Sequence, residues 1–151
     1  TKTVFLAQPS CARSITATTA NGDAAEDIGA VSVIVYGTNI DDQPISETLP
    51  AFSANTAATK EGAKAFKTVT SVFLPSHDGT GCTISVGWGE KLGLPYKFSK
   101  TPLYWVTRDG VIETTLPTLT VDADEIEKNT FDLNGALNSK EICFYMGVPE
   151  A

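Results

Sequence analysis

Cys82-Thr-Ile-Ser-Val-Gly-Trp88 places Cys82, Ile84, Val86 and Trp88 at alternate positions, with Thr83, Ser85 and Gly87 between them. A period of two sends successive side chains to opposite faces of a strand, so this stretch predicts one apolar face and one small or polar face. Outward from it the same signal recurs. Val31, Val33 and Val35 line one face of a second strand whose other face holds Ser32, Ile34 and Tyr36, the pattern of a mid-sheet strand covered on both sides. Ile142, Phe144 and Met146 alternate with Glu141, Cys143 and Tyr145, and Leu103 to Thr107 forms a similar run around Trp105. Further strands are expected at Thr3 to Ala7, Arg13 to Thr19, Ile45 to Leu49, Phe66 to Leu74, Val111 to Leu116, Leu119 to Val121 and Thr130 to Leu133.

Turn chemistry separates these runs. Asn21-Gly22, Asp78-Gly79, Asp109-Gly110 and Asn134-Gly135 each supply the positive φ that a tight reversal needs. Leu103 to Leu116 therefore reads as a hairpin around Asp109-Gly110. Helical periodicity is confined to Thr59 to Ala65 and Ala123 to Asn129, each short of what stands alone. The expected fold is an all-β, antiparallel β-sandwich, Ig-like or jelly-roll-like, with at most one or two short helical turns. A chain of 151 residues suits a single domain spanning 1–151 with a sizeable core. Residues 50–65, rich in Ala, Thr and Ser, are expected to form an exposed loop.

Twenty threonines and ten serines agree with a β-rich domain. The formal charge of −7 argues against a nucleic-acid or anionic-membrane surface, and no apolar run approaches bilayer length. Nine carboxylates against two lysines in residues 109–151 account for the whole excess, because residues 1–108 balance nine against nine. The C-terminal third is the acidic face of this reading. Cys11, Cys82 and Cys143 are odd in number and widely spaced, which excludes a Cys-based zinc motif and fits maturation in a reducing compartment. Cys82 and Cys143 read as small buried hydrophobes. No charged-then-apolar leader is seen, and a leader removed by processing leaves no trace.

Few side chains can assemble chemistry. The single histidine, His77, stands beside Asp78 in a polar stretch that reads as a solvated turn. Asp122, Asp124, Glu125 and Glu127 resemble the opening of a calcium loop, but Ile126 and Leu133 occupy ligand positions and no Gly turns the chain. A solvated acidic connection is the expectation there. Asp41 and Asp42 suit a turn with Asx-type bonds. Gly79 and Gly81, and Gly87, Gly89 and Gly93, miss the spacing of a phosphate loop, and no GxSxG, SxxK or HExxH occurs. The chain is expected to be no enzyme and to take no cofactor or metal. Trp88 and Phe144 are expected in the core, with Tyr96, Tyr104 and Tyr145 as the better candidates for a partner surface.

Three stretches carry a family resemblance: Val33-Ile-Val-Tyr-Gly-Thr-Asn-Ile-Asp-Asp-Gln-Pro-Ile-Ser-Glu-Thr48, Gly62-Ala-Lys-Ala-Phe-Lys-Thr-Val-Thr-Ser-Val72 and Val86-Gly-Trp-Gly-Glu-Lys-Leu-Gly-Leu-Pro95. Together with their intervening order they cover most of residues 31–100, and they resemble small β-sandwich structural proteins of bacteriophage virions. The resemblance implies a capsid decoration or cement protein of a tailed phage, assembled in the host bacterial cytoplasm. The implied partner is the major capsid protein lattice or another virion protein, and a homo-oligomer, trimer or dimer, suits a symmetric lattice. It brings no catalytic, cofactor-binding or metal-binding residue to any position. The alternative of another class is a carbohydrate- or receptor-binding module of a phage tail or head fibre, which an exposed patch of Tyr and Trp would favour.

Overall fold

The structure, a computed structural model, describes residues 1–20, 28–77, 81–133, 135 and 139–147. Eleven strands are present among them: β1 (Arg13–Ala20), β2 (Ile34–Thr38), β3 (Pro44–Thr48), β4 (Thr59–Glu61), β5 (Thr68–Phe73), β6 (Thr83–Gly93), β7 (Tyr104–Arg108), β8 (Val111–Ile112), β9 (Thr118–Thr120), β10 (Thr130–Asp132) and β11 (Ile142–Met146). They form a five-stranded sheet, β4-β1-β6-β10-β9, and two three-stranded sheets, β3-β2-β5 and β11-β7-β8, with every pairing antiparallel. The chain is an all-β, sandwich-like protein.

One five-stranded sheet serves two cores. Ile15 and Ala17 of β1 pack with Val35 of β2, Val69 and Val72 of β5, and Phe66, Leu49 and Phe52 from the connections; Ile84, Val86 and Trp88 of β6 lie against them. Each such fully buried aliphatic or aromatic side chain contributes roughly 1.5–3 kcal/mol. Leu94, Phe98, Phe131 and Leu133 form the second core with Ile142, Phe144 and Met146 of β11. There Phe144 stacks on Phe131 at 4.6 Å and on Tyr104 at 5.3 Å between ring centroids.

The changeover between cores lies in β6, the longest strand. Ile15 pairs with Trp88 but Arg13 pairs with Leu92, so Ser14 alone spans Gly89, Glu90 and Lys91. Such a bulge leaves main-chain groups without ladder partners, and side chains take them up. Glu61 accepts the N–H groups of Glu90 (3.0 Å) and Lys91 (3.4 Å) and the Ser14 hydroxyl (2.5 Å), while the Arg13 Nε donates to the Gly89 carbonyl at 2.9 Å. Any Cβ at position 89 would collide with Glu61 and Ser14, which is why glycine stands there. The stretches that carry the resemblance meet here: Glu47 accepts from the Ala63 N–H at 2.6 Å, and Lys91 Nζ donates to the Gly62 carbonyl at 3.0 Å.

Several expectations change. Thr3 to Ala7 is not a strand; Lys2 makes one bridge to Val72, and Val4 and Leu6 point into solvent. Thr59 to Ala65 is not helical but contains edge strand β4, because β1 pairs with it at Thr16 and Glu61. The loop expected over 50–65 is therefore exposed only in part, with Phe52 and Ala65 buried. Ala123 to Asn129 shortens to a 3-10 turn, Ile126–Lys128, and the strand expected over Val111 to Leu116 shortens to two residues. β2 is central as expected, yet its second face is open at Tyr36. The Asp109-Gly110 hairpin is present between β7 and β8, with φ of 49° and 78° at the two turn residues. The Asn21-Gly22 and Asp78-Gly79 turns, and Asn134, fall outside the described residues.

Candidate functional site

The face of β11-β7-β8 turned away from the second core is the candidate site. Residues directly opposite in an antiparallel pair share a face. Trp105 opposes Tyr145, Thr107 opposes Cys143 on one side and Ile112 on the other, and Leu103 bonds Gly147. Leu103, Trp105, Ile112 and Tyr145 are 83%, 47%, 65% and 44% exposed. Trp105 and Tyr145 stack with centroids 5.2 Å apart and rings within 9° of parallel. Pre-stacked rings lose little freedom on contact, and their solvent-facing surface is the kind that anchors a partner.

Of the aromatic residues expected at a partner surface, Tyr145 is on this face and Tyr96 is exposed elsewhere, packed edge-on against Phe98. Tyr104 is not: it turns inward, and its hydroxyl donates to the Pro117 carbonyl at 2.8 Å. Trp88 and Phe144 pack against the two cores as expected. Cys143, expected in the core, is half-buried on the outer face. Sequence periodicity missed Trp105 as the centre of the face, because both faces of β7 and β11 are apolar.

The acidic third is not an open field of charge. Lys64 donates to Glu125 (3.1 Å) and Glu127 (3.3 Å), Arg108 pairs with Glu113, Lys140 with Asp109, and Lys128 with Glu125 and Asp122. Glu127, expected in a solvated connection, is buried at 7% exposure and also accepts from the buried Asn39 amide at 3.2 Å. Burial alone would push its carboxyl up; hydrogen bonds from its own N–H, Asn39 and Lys64 bring it net below the ordinary glutamate range. Burial likewise works against the Lys64 ammonium, and its two carboxylate partners raise it overall. Glu125 is lowered chiefly by Lys128 and then Lys64.

These signs fix a pH dependence. Carboxyls depressed in the folded state add stability above their unfolded value, and that stability is lost as pH falls through the folded one. Thermal melting is expected to fall below the ordinary glutamate value of 4.5. Glu127→Gln costs about 1–3 kcal/mol at pH 7, and the gap from wild type narrows toward pH 3. A gap constant from pH 3 to 7 would exclude this ion pair as its cause.

Asp122 folds the chain just ahead of the 3-10 turn, its Oδ1 accepting from the N–H groups of Asp124 at 2.9 Å and Glu125 at 2.8 Å. Among the described residues no group of His, Cys, Asp or Glu is arranged to hold a metal ion. The turn at Asp41 and Asp42 is built by Asn39, whose Oδ1 accepts from Asp41 and Gln43, while Asp42 takes φ of 61° and pairs with Lys67. His77, expected to be solvated, is half-buried. Its Nδ1 accepts the Gly29 N–H at 3.0 Å and its ring lies tilted against Phe52. That lone pair is engaged in holding the backbone, and Asp78 lies outside the described residues. A concavity of about 540 Å³ beside β8 is lined by Arg108 and Glu113, which pair with each other, and by Val111, Ile112, Thr114 and Thr115. No family model, characterised protein or solved structure matches the chain.

Proposed function

We propose that this chain is a non-enzymatic structural protein of a tailed-phage virion that binds the capsid lattice and decorates or stabilises it. The observation that carries the reading is the flat, outward apolar face of Leu103, Trp105, Ile112 and Tyr145, held on a paired sheet rather than in a cleft. Flat, pre-ordered faces suit a broad protein surface, and binding to assembled subunits resists their separation by mass action. The likeness of residues 31–100 to virion sandwich proteins supports the same reading. Its motif residues Glu47, Gly62, Gly89 and Lys91 hold the scaffold together.

Purified chain mixed with capsids lacking it is expected to bind with fixed stoichiometry and to raise the capsid melting temperature in calorimetry. Trp105→Ser with Tyr145→Ser should weaken that binding at least about tenfold while leaving the fold intact. Absence of binding at micromolar concentration overturns the proposal. The stacked Trp105–Tyr145 pair also favours a second reading, a carbohydrate- or receptor-binding module of a tail or head fibre. Glycan-array binding without affinity for capsids would establish that reading instead.

A further inference from the structure

Three sheets leave six edges, and five of them are short or guarded. β4, β9 and β8 have three, three and two residues; β4 carries Lys60, and β9 follows Pro117. β3 begins with Pro44 and carries Glu47. β5 is covered by the N-terminal segment: Lys2 exchanges main-chain bonds with Val72, and the Gln8 amide does so with Val69. Edge strands invite pairing unless shortened, charged, kinked or covered. β11 is the exception. Its five residues, Ile142-Cys-Phe-Tyr-Met146, hold no charge, proline or bulge, and among the described residues its one neighbour is β7.

The phase of the β7–β11 ladder shows what that edge offers. The Asp109 N–H bonds the Glu141 carbonyl and the Gly147 N–H bonds the Leu103 carbonyl. Bonded pairs recur every second residue, so Cys143 and Tyr145 spend their main-chain groups on β7. The N–H and C=O of Ile142, Phe144 and Met146 therefore point out of the sheet edge.

We propose that β11 pairs antiparallel with β11 of a second copy about a two-fold axis at Phe144. This register sets Phe144 opposite its own counterpart and Ile142 opposite Met146 of the other copy, using every outward group in about six main-chain hydrogen bonds. No other two-fold register overlaps all five residues. Glu141 falls opposite Gly147, so no like charges are opposed. Cys143 and Tyr145 face each other across the axis on the outer face, and the stacked Trp105–Tyr145 pairs of both copies join one six-stranded surface. A two-fold axis makes the contact self-complementary, each copy presenting the same edge to the other. Five residues of edge bury less than a standard interface, so the dimer is expected to be weak, with Kd in the micromolar range. The pairing holds whether or not the chain binds a capsid.

The test is a cross-link in the full chain. Cys143 and Tyr145 of the other copy form a non-hydrogen-bonded pair, with Cα atoms about 4.5 Å apart, within disulfide range. Tyr145→Cys in a Cys11→Ser background should convert to covalent dimers under mild oxidation, through Cys143 to residue 145, while Cys11→Ser alone stays largely monomeric on a non-reducing gel. Mapping the linked peptides by mass spectrometry reads the register directly. In sedimentation velocity the wild type should associate reversibly, and Cys143→Lys with Tyr145→Lys should lower the association at least about tenfold with an unchanged circular dichroism spectrum. A wild type that is monomeric up to about 1 mM, a double-lysine variant that associates like wild type, or a cross-link between other residues each overturns the pairing.

Discussion

Asn129→Ala is expected to lower the stability by about 3–5 kcal/mol, or roughly 10 °C in melting temperature. No other polar side chain in the described fold is buried as completely while serving as many main-chain groups. Its Oδ1 accepts the N–H of Phe98 at 3.1 Å and of Asp122 at 3.0 Å, and its Nδ2 donates to the carbonyls of Asp122 at 2.8 Å and Glu125 at 3.0 Å. Its own carbonyl accepts from Leu94, which ties the connection to the end of β6. Alanine would strand two donors and two acceptors around a fully buried position, and an orphaned buried group costs more than a made bond contributes. Asn129→Asp separates the bonds from the volume. It keeps the acceptor but sets a carboxylate oxygen against two carbonyls, so at pH 7 it should destabilise at least as much as alanine. Burial there raises the carboxyl, and once protonated it can donate again. Its gap from wild type should therefore close on acidification while the alanine gap persists. Urea melts of the three proteins at pH 4.5 and 7 distinguish the cases, and equal pH dependence of the two variants would refute the assignment of Nδ2 as the essential donor.

The position of Asn129 explains what could be read in advance and what could not. Alternation in Cys82 to Trp88 marks β6, and Asp109-Gly110 marks its hairpin, because both signals are local: a pleat of period two and a pair of residues tolerant of positive φ. β4 is three polar residues with no pattern, and exists because β1 lies beside it and because Glu61 secures the bulge in β6. Val4 and Leu6 look like strand residues to any hydrophobic count, yet no strand neighbour covers them. The acidic third misled for the same reason. Lys64, more than 60 positions from Glu125 and Glu127, neutralises them, and no charge profile along the chain shows that meeting. On the outer face of β11-β7-β8, Tyr145 was legible as a partner-surface residue and Trp105 was not. All five residues of β11 are apolar, and the covering of Ile142, Phe144 and Met146 by the second core leaves Tyr145 facing out.

Gly37→Ala should be about as damaging, at about 3 kcal/mol or more, through main-chain displacement rather than lost bonds. Gly37 sits in the central strand of its sheet at a shift in register: Tyr36 pairs with Ser71, whereas Gly37 pairs with Val69. A Cβ there would fall inside contact distance of the Thr68 carbonyl oxygen and 2.9 Å from Phe66 Cδ1. The first obstacle is backbone in β5 and the second is the largest fully buried side chain of the first core, so neither moves without breaking pairing or packing. Relief would require β5 to shift, which also disturbs the Lys67 N–H bond to Thr38 and the Phe66 bonds to Arg13. Gly147→Ala is the matched control, since a Cβ at 147 meets nothing within 4 Å, and it should change stability by less than about 0.5 kcal/mol. Hydrogen exchange offers a second readout: protection should fall first in β2 and β5 of Gly37→Ala and stay near wild type in β7 and β11, which belong to the other core. Loss of protection spread evenly through all strands would mean that the two cores unfold as one unit, and would replace the picture of a five-stranded sheet joining two separable layers.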